Sequence, residues 1–243
     1  MSLVLIILGY IIFFISALLQ GLSGFGFSIL AIPLITFILS PVTSVPILLI
    51  YSIVINLVVI FSTRKVIELK RIWLLLLSAI VGIPLGTKLL IILPENIIRG
   101  FIGILILIFG MLLLSGWKIN IKHEKSAMFP IGFLSGILGA SISISGPPII
   151  IFLTNQRTEK QSFRGNLALY FLLLNIITLP VYYLNDLFTE EVIMNTVIFF
   201  PALFTGVIMG NLLSGKIKDV HFRRIILYLL TIMGITTIVS VLI

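Results

Sequence analysis

The chain has 243 residues, 60% of them hydrophobic and 10% charged, with a formal net charge of +8. Soluble domains carry about 25% charged residues, so this composition excludes an ordinary soluble domain and points to the membrane class. The basic residues are scattered through short intervals between apolar runs, which is the pattern of topology signals rather than of nucleic-acid binding, and with no cysteine there is no disulfide framework or thiolate metal site.

A helix needs about 20 apolar residues, at 1.5 Å of rise each, to cross about 30 Å of hydrocarbon. The first apolar segment covers 2–40. Its start, "MSLVLIILGYIIFF", has no basic region and no cleavage site, and reads as a retained span rather than a signal peptide. At roughly 38 residues it is too long for one ordinary span, and "GLSGFG" interrupts it. Segment 42–62 follows, with Tyr51 and Asn56 at its centre. Segment 72–92 carries Gly82, Gly86 and, near its end, Lys88, placed either to reach outward to the interface or to attract anions at the vestibule. Segment 98–116 closes the first half. A basic interval at 118–126 leads to segment 127–153, which contains "GASISISGPP". Segments 165–184, with Tyr170 and Asn175, 191–213, with Gly206 and Gly210, and 224–243 complete the chain. The expected organisation is a membrane repeat at 1–117, a basic cytoplasmic linker at 118–126 and a second membrane repeat at 127–243.

The repeat rests on an ordered series of matches. In the first segments, Gly21 falls on Gly136, Gly24 on Gly139, Ser28 on Ser143 and Pro33 on Pro148, a constant spacing of 115. Further on, Tyr51 and Asn56 match Tyr170 and Asn175, and Gly82 and Gly86 match Gly206 and Gly210. Loop charge then decides orientation. Eight simple crossings divide the Lys and Arg residues seven against nine, which is no bias. If the first segment of each half folds back to its own side, the division is fourteen against two, a strong positive-inside signal. The expected fold is therefore an all-α polytopic membrane protein. It has two inverted-topology repeats of four segments each, the first of each half broken or re-entrant, with its site near the midplane.

The breaks suit that role. Pro147 and Pro148 lack an N–H and disfavour helix in the residue before them. "SGPP" reads as a cap followed by a helix start, and a second start is expected between Phe27 and Pro33. Broken backbone in hydrocarbon is tolerated only where it is buried in protein or lines a wet cavity. Helix starts present free N–H groups and a positive dipole end, so two of them facing each other, with serine hydroxyls added, form a site for an anion. The eight carboxylates all lie between segments or at their ends, which argues against a cation substrate and against proton coupling through a buried acid. Asn56, Asn175, Tyr51 and Tyr170 either hydrogen-bond between helices or line the site. An enzyme is not expected: a nucleophilic serine needs a base within reach, and both histidines, His123 and His221, fall in basic intervals. No metal or cofactor is called for.

"QGLSGFGFSILAIPL" and "GILGASISISGPPIIIFL" resemble the two signature stretches of the sulfite exporter TauE/SafE family, and the similarity extends over essentially the whole chain. The resemblance implies a multi-pass permease of the inner or plasma membrane for small sulfur-containing or organic anions, such as sulfite, sulfoacetate and sulfonates. It places the permeation centre at 24–28 and 141–148. The expected binding residues are Gly24, Phe25, Gly26, Phe27, Ser28 and Asn56 in the first half. In the second they are Ser141, Ser143, Ser145, Gly146, Pro147, Pro148 and Asn175, with Arg164 either near the inner mouth or a topology and lipid-headgroup charge. The expected partners are the anion and the lipid bilayer, with no nucleic acid; a homo-oligomer stays open. The rivals are an anion channel with the same site and a membrane assembly factor that transports nothing.

Overall fold

A computed structural model describes residues 2–115, 124–155 and 160–214. Segment 224–243 and residues 118–123 of the linker lie outside the described residues. Helices α1 (Leu3–Ser23), α2 (Phe27–Ile35) and α3 (Pro41–Thr63) lead to two 3₁₀ turns, Arg64–Val66 and Leu69–Arg71. Then come α4 (Trp73–Ile92), α5 (Glu95–Ser115), α6 (Glu124–Ile142), α7 (Gly146–Asn155), α8 (Lys160–Leu184) and α9 (Glu190–Leu213). Among the described residues there is no strand, and α1, α3, α4, α8 and α9 are long and apolar enough to cross a membrane.

Local chemistry sets several boundaries. Ser40 Oγ accepts from the Thr43 N–H at 3.1 Å, and Pro41 occupies the first helical turn, where its missing N–H costs nothing. Thr189 caps α9 in the same way, with Glu190 and Glu191 at the positive end of the helix. The outer faces are apolar. Ile7, Ile11 and Ile15 line one side of α1, Leu77, Val81 and Leu85 one side of α4, and Phe101, Ile104 and Ile108 one side of α5, all exposed. Apolar surface on this scale is at home against lipid tails, not water.

Contacts fix the directions of the helices. Tyr10 of α1 donates to the Ile198 carbonyl of α9 at 2.8 Å, and Gly21 lies against Val207 and Asn211, so α1 and α9 run parallel. Thr43, Tyr51 and Ser62 of α3 bond to Glu191, Thr196 and Asn211 in turn, so α3 runs the same way. In α8, Tyr170 and Tyr182 reach Ser135 and Ala140 of α6, and Gly132 and Gly136 of α6 lie against Leu75 and Ala79 of α4. These three helices are therefore mutually parallel. Thr63, at the end of α3, touches Gly165, near the start of α8, so the second set opposes the first. Because α1 and α3 are parallel, α2 must return the chain to the end where α1 began; α7 does the same between α6 and α8.

Helices from before and after the expected linker pack on each other: α1 packs along α9 and α6 along α4. Glycine makes both contacts close. A Cβ at Gly82 or Gly86 would strike the carbonyl of Phe133 or Ile137, and one at Gly206 or Gly210 the carbonyl of Phe14 or Leu18. Small residues that let backbones approach are the usual cement of membrane helices. These contacts pair the first segments in a different register from the expected one. Phe14 takes the place of Phe133, and Leu18 that of Ile137, a spacing of 119. The left-handed residues that end α1 and α6, Gly24 and Ser143, also stand 119 apart, as do Tyr51 and Tyr170. The spacing of 115 is one helical turn out. A slip of four residues keeps the same face of a helix, so it matches small residues almost as well.

Candidate functional site

The breaks fall where the sequence places them. α1 ends at Ser23. Gly24 follows with φ +84°, its N–H donating to the Gln20 carbonyl at 2.7 Å, and Gly26 has φ +102°. Ser23 Oγ lies 2.8 Å from the Leu19 carbonyl and 2.6 Å from that of Phe25, and its one proton serves one of the two at a time. In the second half, Ser143 takes the left-handed conformation at φ +60°, and its N–H donates to the Gly139 carbonyl at 3.0 Å. Ser135 Oγ donates to the Ser145 carbonyl at 2.7 Å and accepts from the Tyr170 hydroxyl at 2.9 Å.

Between the two breaks lies a cavity of about 30 Å³, room for roughly two waters. Phe25, Gly26 and Ser28 line it from the first break, and Ser143, Ser145 and Gly146 from the second. Ser52 and Phe171 line it from the middle of α3 and α8. Ser28 Oγ and Ser143 Oγ meet at 3.3 Å and join the two breaks directly. No Lys, Arg, Asp or Glu is among the lining residues. The polar groups on offer are hydroxyls, amides and backbone N–H groups. The prolines trim that supply, because Pro147 and Pro148 remove two first-turn donors from α7 and leave Gly146 to present its N–H.

The expected site residues thus divide. Phe25, Gly26, Ser28, Ser143, Ser145, Gly146 and Asn175 line the cavity. Gly24, Phe27, Asn56, Ser141, Pro147, Pro148 and Arg164 stand outside its wall. Ser141 Oγ donates to the Ile137 carbonyl within its own helix at 2.7 Å. Tyr51 and Tyr170 are fully buried, with their hydroxyls bonded across helices. Lys88 is exposed on α4, one turn from its end.

Arg164 lies inside a helix, since α8 starts five residues before the expected segment. It is only 1% exposed. Its guanidinium donates to the Gly21 carbonyl at 2.8 Å, to Gln161 at 3.1 Å and to Asn211 at 3.4 Å, while Nε has no partner among the described residues. Its stem packs on Gly24, where a Cβ would come within 2.8 Å of Cγ. Arg164 therefore binds the carbonyl end of α1, where a cation complements the helix dipole, and braces the first break from behind.

Two important positions carry no expectation from the sequence, Gln20 and Ser52. Gln20 Oε1 accepts from the Phe27 N–H at 2.8 Å and so caps α2. Its Nε2 donates to Asn56 Oδ1 at 3.2 Å, and Asn56 Nδ2 donates to Ser52 Oγ at 3.0 Å. The available signal was a glutamine standing alone within an apolar run.

A family model described as Sulfite exporter TauE/SafE matches residues 9–237. No curated protein and no solved structure matches the chain.

Proposed function

Because the chain belongs to the sulfite exporter TauE/SafE family, we propose that it carries small sulfur-containing or organic anions, of the sulfite, sulfoacetate and sulfonate class, across the cell membrane. The observation that carries this reading is the cavity at mid-length of α3 and α8. It is lined from both breaks by neutral donors and by no charged side chain. Oriented neutral dipoles can hold an anion through helix starts, amides and hydroxyls without a buried cation. Ser28, Ser143, Ser145, Gly146 and Asn175 are the proposed contacts, with Phe25 and Gly26 shaping the wall. Gly24, Phe27, Asn56, Ser141, Pro147, Pro148 and Arg164 hold the breaks in shape.

In this reading the halves are inverted-topology repeats. The opposite directions of α3 and α8, and the exchanged packing of α1 with α9 and α6 with α4, support it. The basic turns at 64–71 face the cytoplasm. Transport proceeds by one half rocking against the other around the cavity, as inverted repeats allow.

Purified protein in proteoliposomes tests the proposal. Saturable uptake of sulfite, with competition by sulfoacetate and methanesulfonate, is expected. Uptake of cations, or no uptake of any of these anions above empty vesicles, would sink it.

A further inference from the structure

The two halves are unequal at the cavity, and the inequality is one of hydrogen bonding. In the register of 119, Gln20, Ser52 and Asn56 correspond to Gly139, Phe171 and Asn175. The first set forms a closed chain. Phe27 N–H bonds to Gln20, Gln20 to Asn56, and Asn56 to Ser52, at 2.8, 3.2 and 3.0 Å. Asn56 is fully buried and its amide is used at both ends. In the second set, glycine and phenylalanine replace the partners. The Asn175 side chain makes no hydrogen bond among the described residues; the residue is partly exposed and lines the cavity.

Resting on the reading of the cavity as an anion site, we infer that the amide contact to the substrate comes from the second half alone. Asn175 is the donor that contacts it, and Gln20 is a built-in acceptor that occupies the matching place in the first half. Gln20 Oε1 sits on the first N–H of α2, where a substrate oxygen would otherwise bind. A carbonyl oxygen there meets the need of the helix start for an acceptor. The equivalent position in the second half is Gly139, with no side chain to do this. Asn56 and Asn175 are thus matched in sequence and divided in role: one is a structural link, the other a ligand.

The test compares variants of the full chain in proteoliposomes by half-saturation for sulfite and by melting temperature. Asn175→Ala should raise half-saturation about tenfold or more, the effect of one hydrogen bond to a charged group, with the melting temperature unchanged. Asn175→Asp, of the same shape but the same charge as the substrate, should bind still more weakly. Gln20→Met, of similar size and without an acceptor, should lower the melting temperature and leave half-saturation equal or lower. The inference is overturned if Asn175→Ala leaves half-saturation unchanged, or if Gln20→Met raises it as much as Asn175→Ala does. If wild-type protein takes up none of sulfite, sulfoacetate or methanesulfonate, the anion reading falls and this inference with it.

Discussion

At the scale of single residues, Gly24 and Gly26 look interchangeable in "GLSGFG" but are held for different reasons. Both have φ above +80°, which costs an alanine about 1–2 kcal/mol. Gly24 also faces Arg164 Cγ and Cβ at 2.8 and 3.0 Å, whereas nothing lies within 4 Å of a Cβ at Gly26. Gly24→Ala should therefore destabilise by a further 1–3 kcal/mol, roughly the cost of overpacking. Thermal unfolding in detergent should show Gly24→Ala melting below Gly26→Ala, and equal melting would refute the crowding by Arg164. The glycines themselves were legible, because a Gly-rich interruption of an apolar run has few other uses. Gln20 and Arg164 were not. Their roles depend on carbonyls and N–H groups brought close only by folding, and neither lies next to its partner in the chain.

At the scale of elements, small residues do two jobs that sequence does not separate. Gly86 and Gly210 lie at matched positions on α4 and α9, each against a backbone carbonyl of a helix in the other half. A valine at either site must push two helices apart, at about 1–3 kcal/mol or more. Gly86→Val and Gly210→Val should lower the melting temperature by similar amounts. A large loss at one site with none at the other would show that the exchanged contacts are not equivalent. Helix boundaries were readable at α2, α3 and α7 because proline and glycine punctuate the chain there. The repeat register was not, since faces of a helix recur every three or four residues and the first segments carry small residues at both spacings. The left-handed residues that close α1 and α6, Gly24 and Ser143, favour the spacing of 119.

At the scale of the whole molecule, charge and direction agree. The turns at 64–71 meet the start of α8, where the Asn166 side chain accepts from the Glu68 N–H at 2.7 Å, and α9 ends beside Ser62. The acidic start of α9 lies at the far end, by Thr43. Single cysteines at Lys65 and Gln161 should label from one face of the membrane, and one at Asp186 from the other. Labelling of Lys65 and Gln161 from opposite faces would dismantle the proposed topology. Loop charge is what suggests this arrangement in the sequence, because orientation is imposed by whole intervals rather than by single contacts. One further consequence follows from the hydroxyls of Ser28 and Ser143, which meet at 3.3 Å. Each has one proton to give. In the proposed transport, an acceptor that drew both protons would leave none to tie one break to the other, so the arrival of cargo would unfasten the clasp that closes the empty compartment.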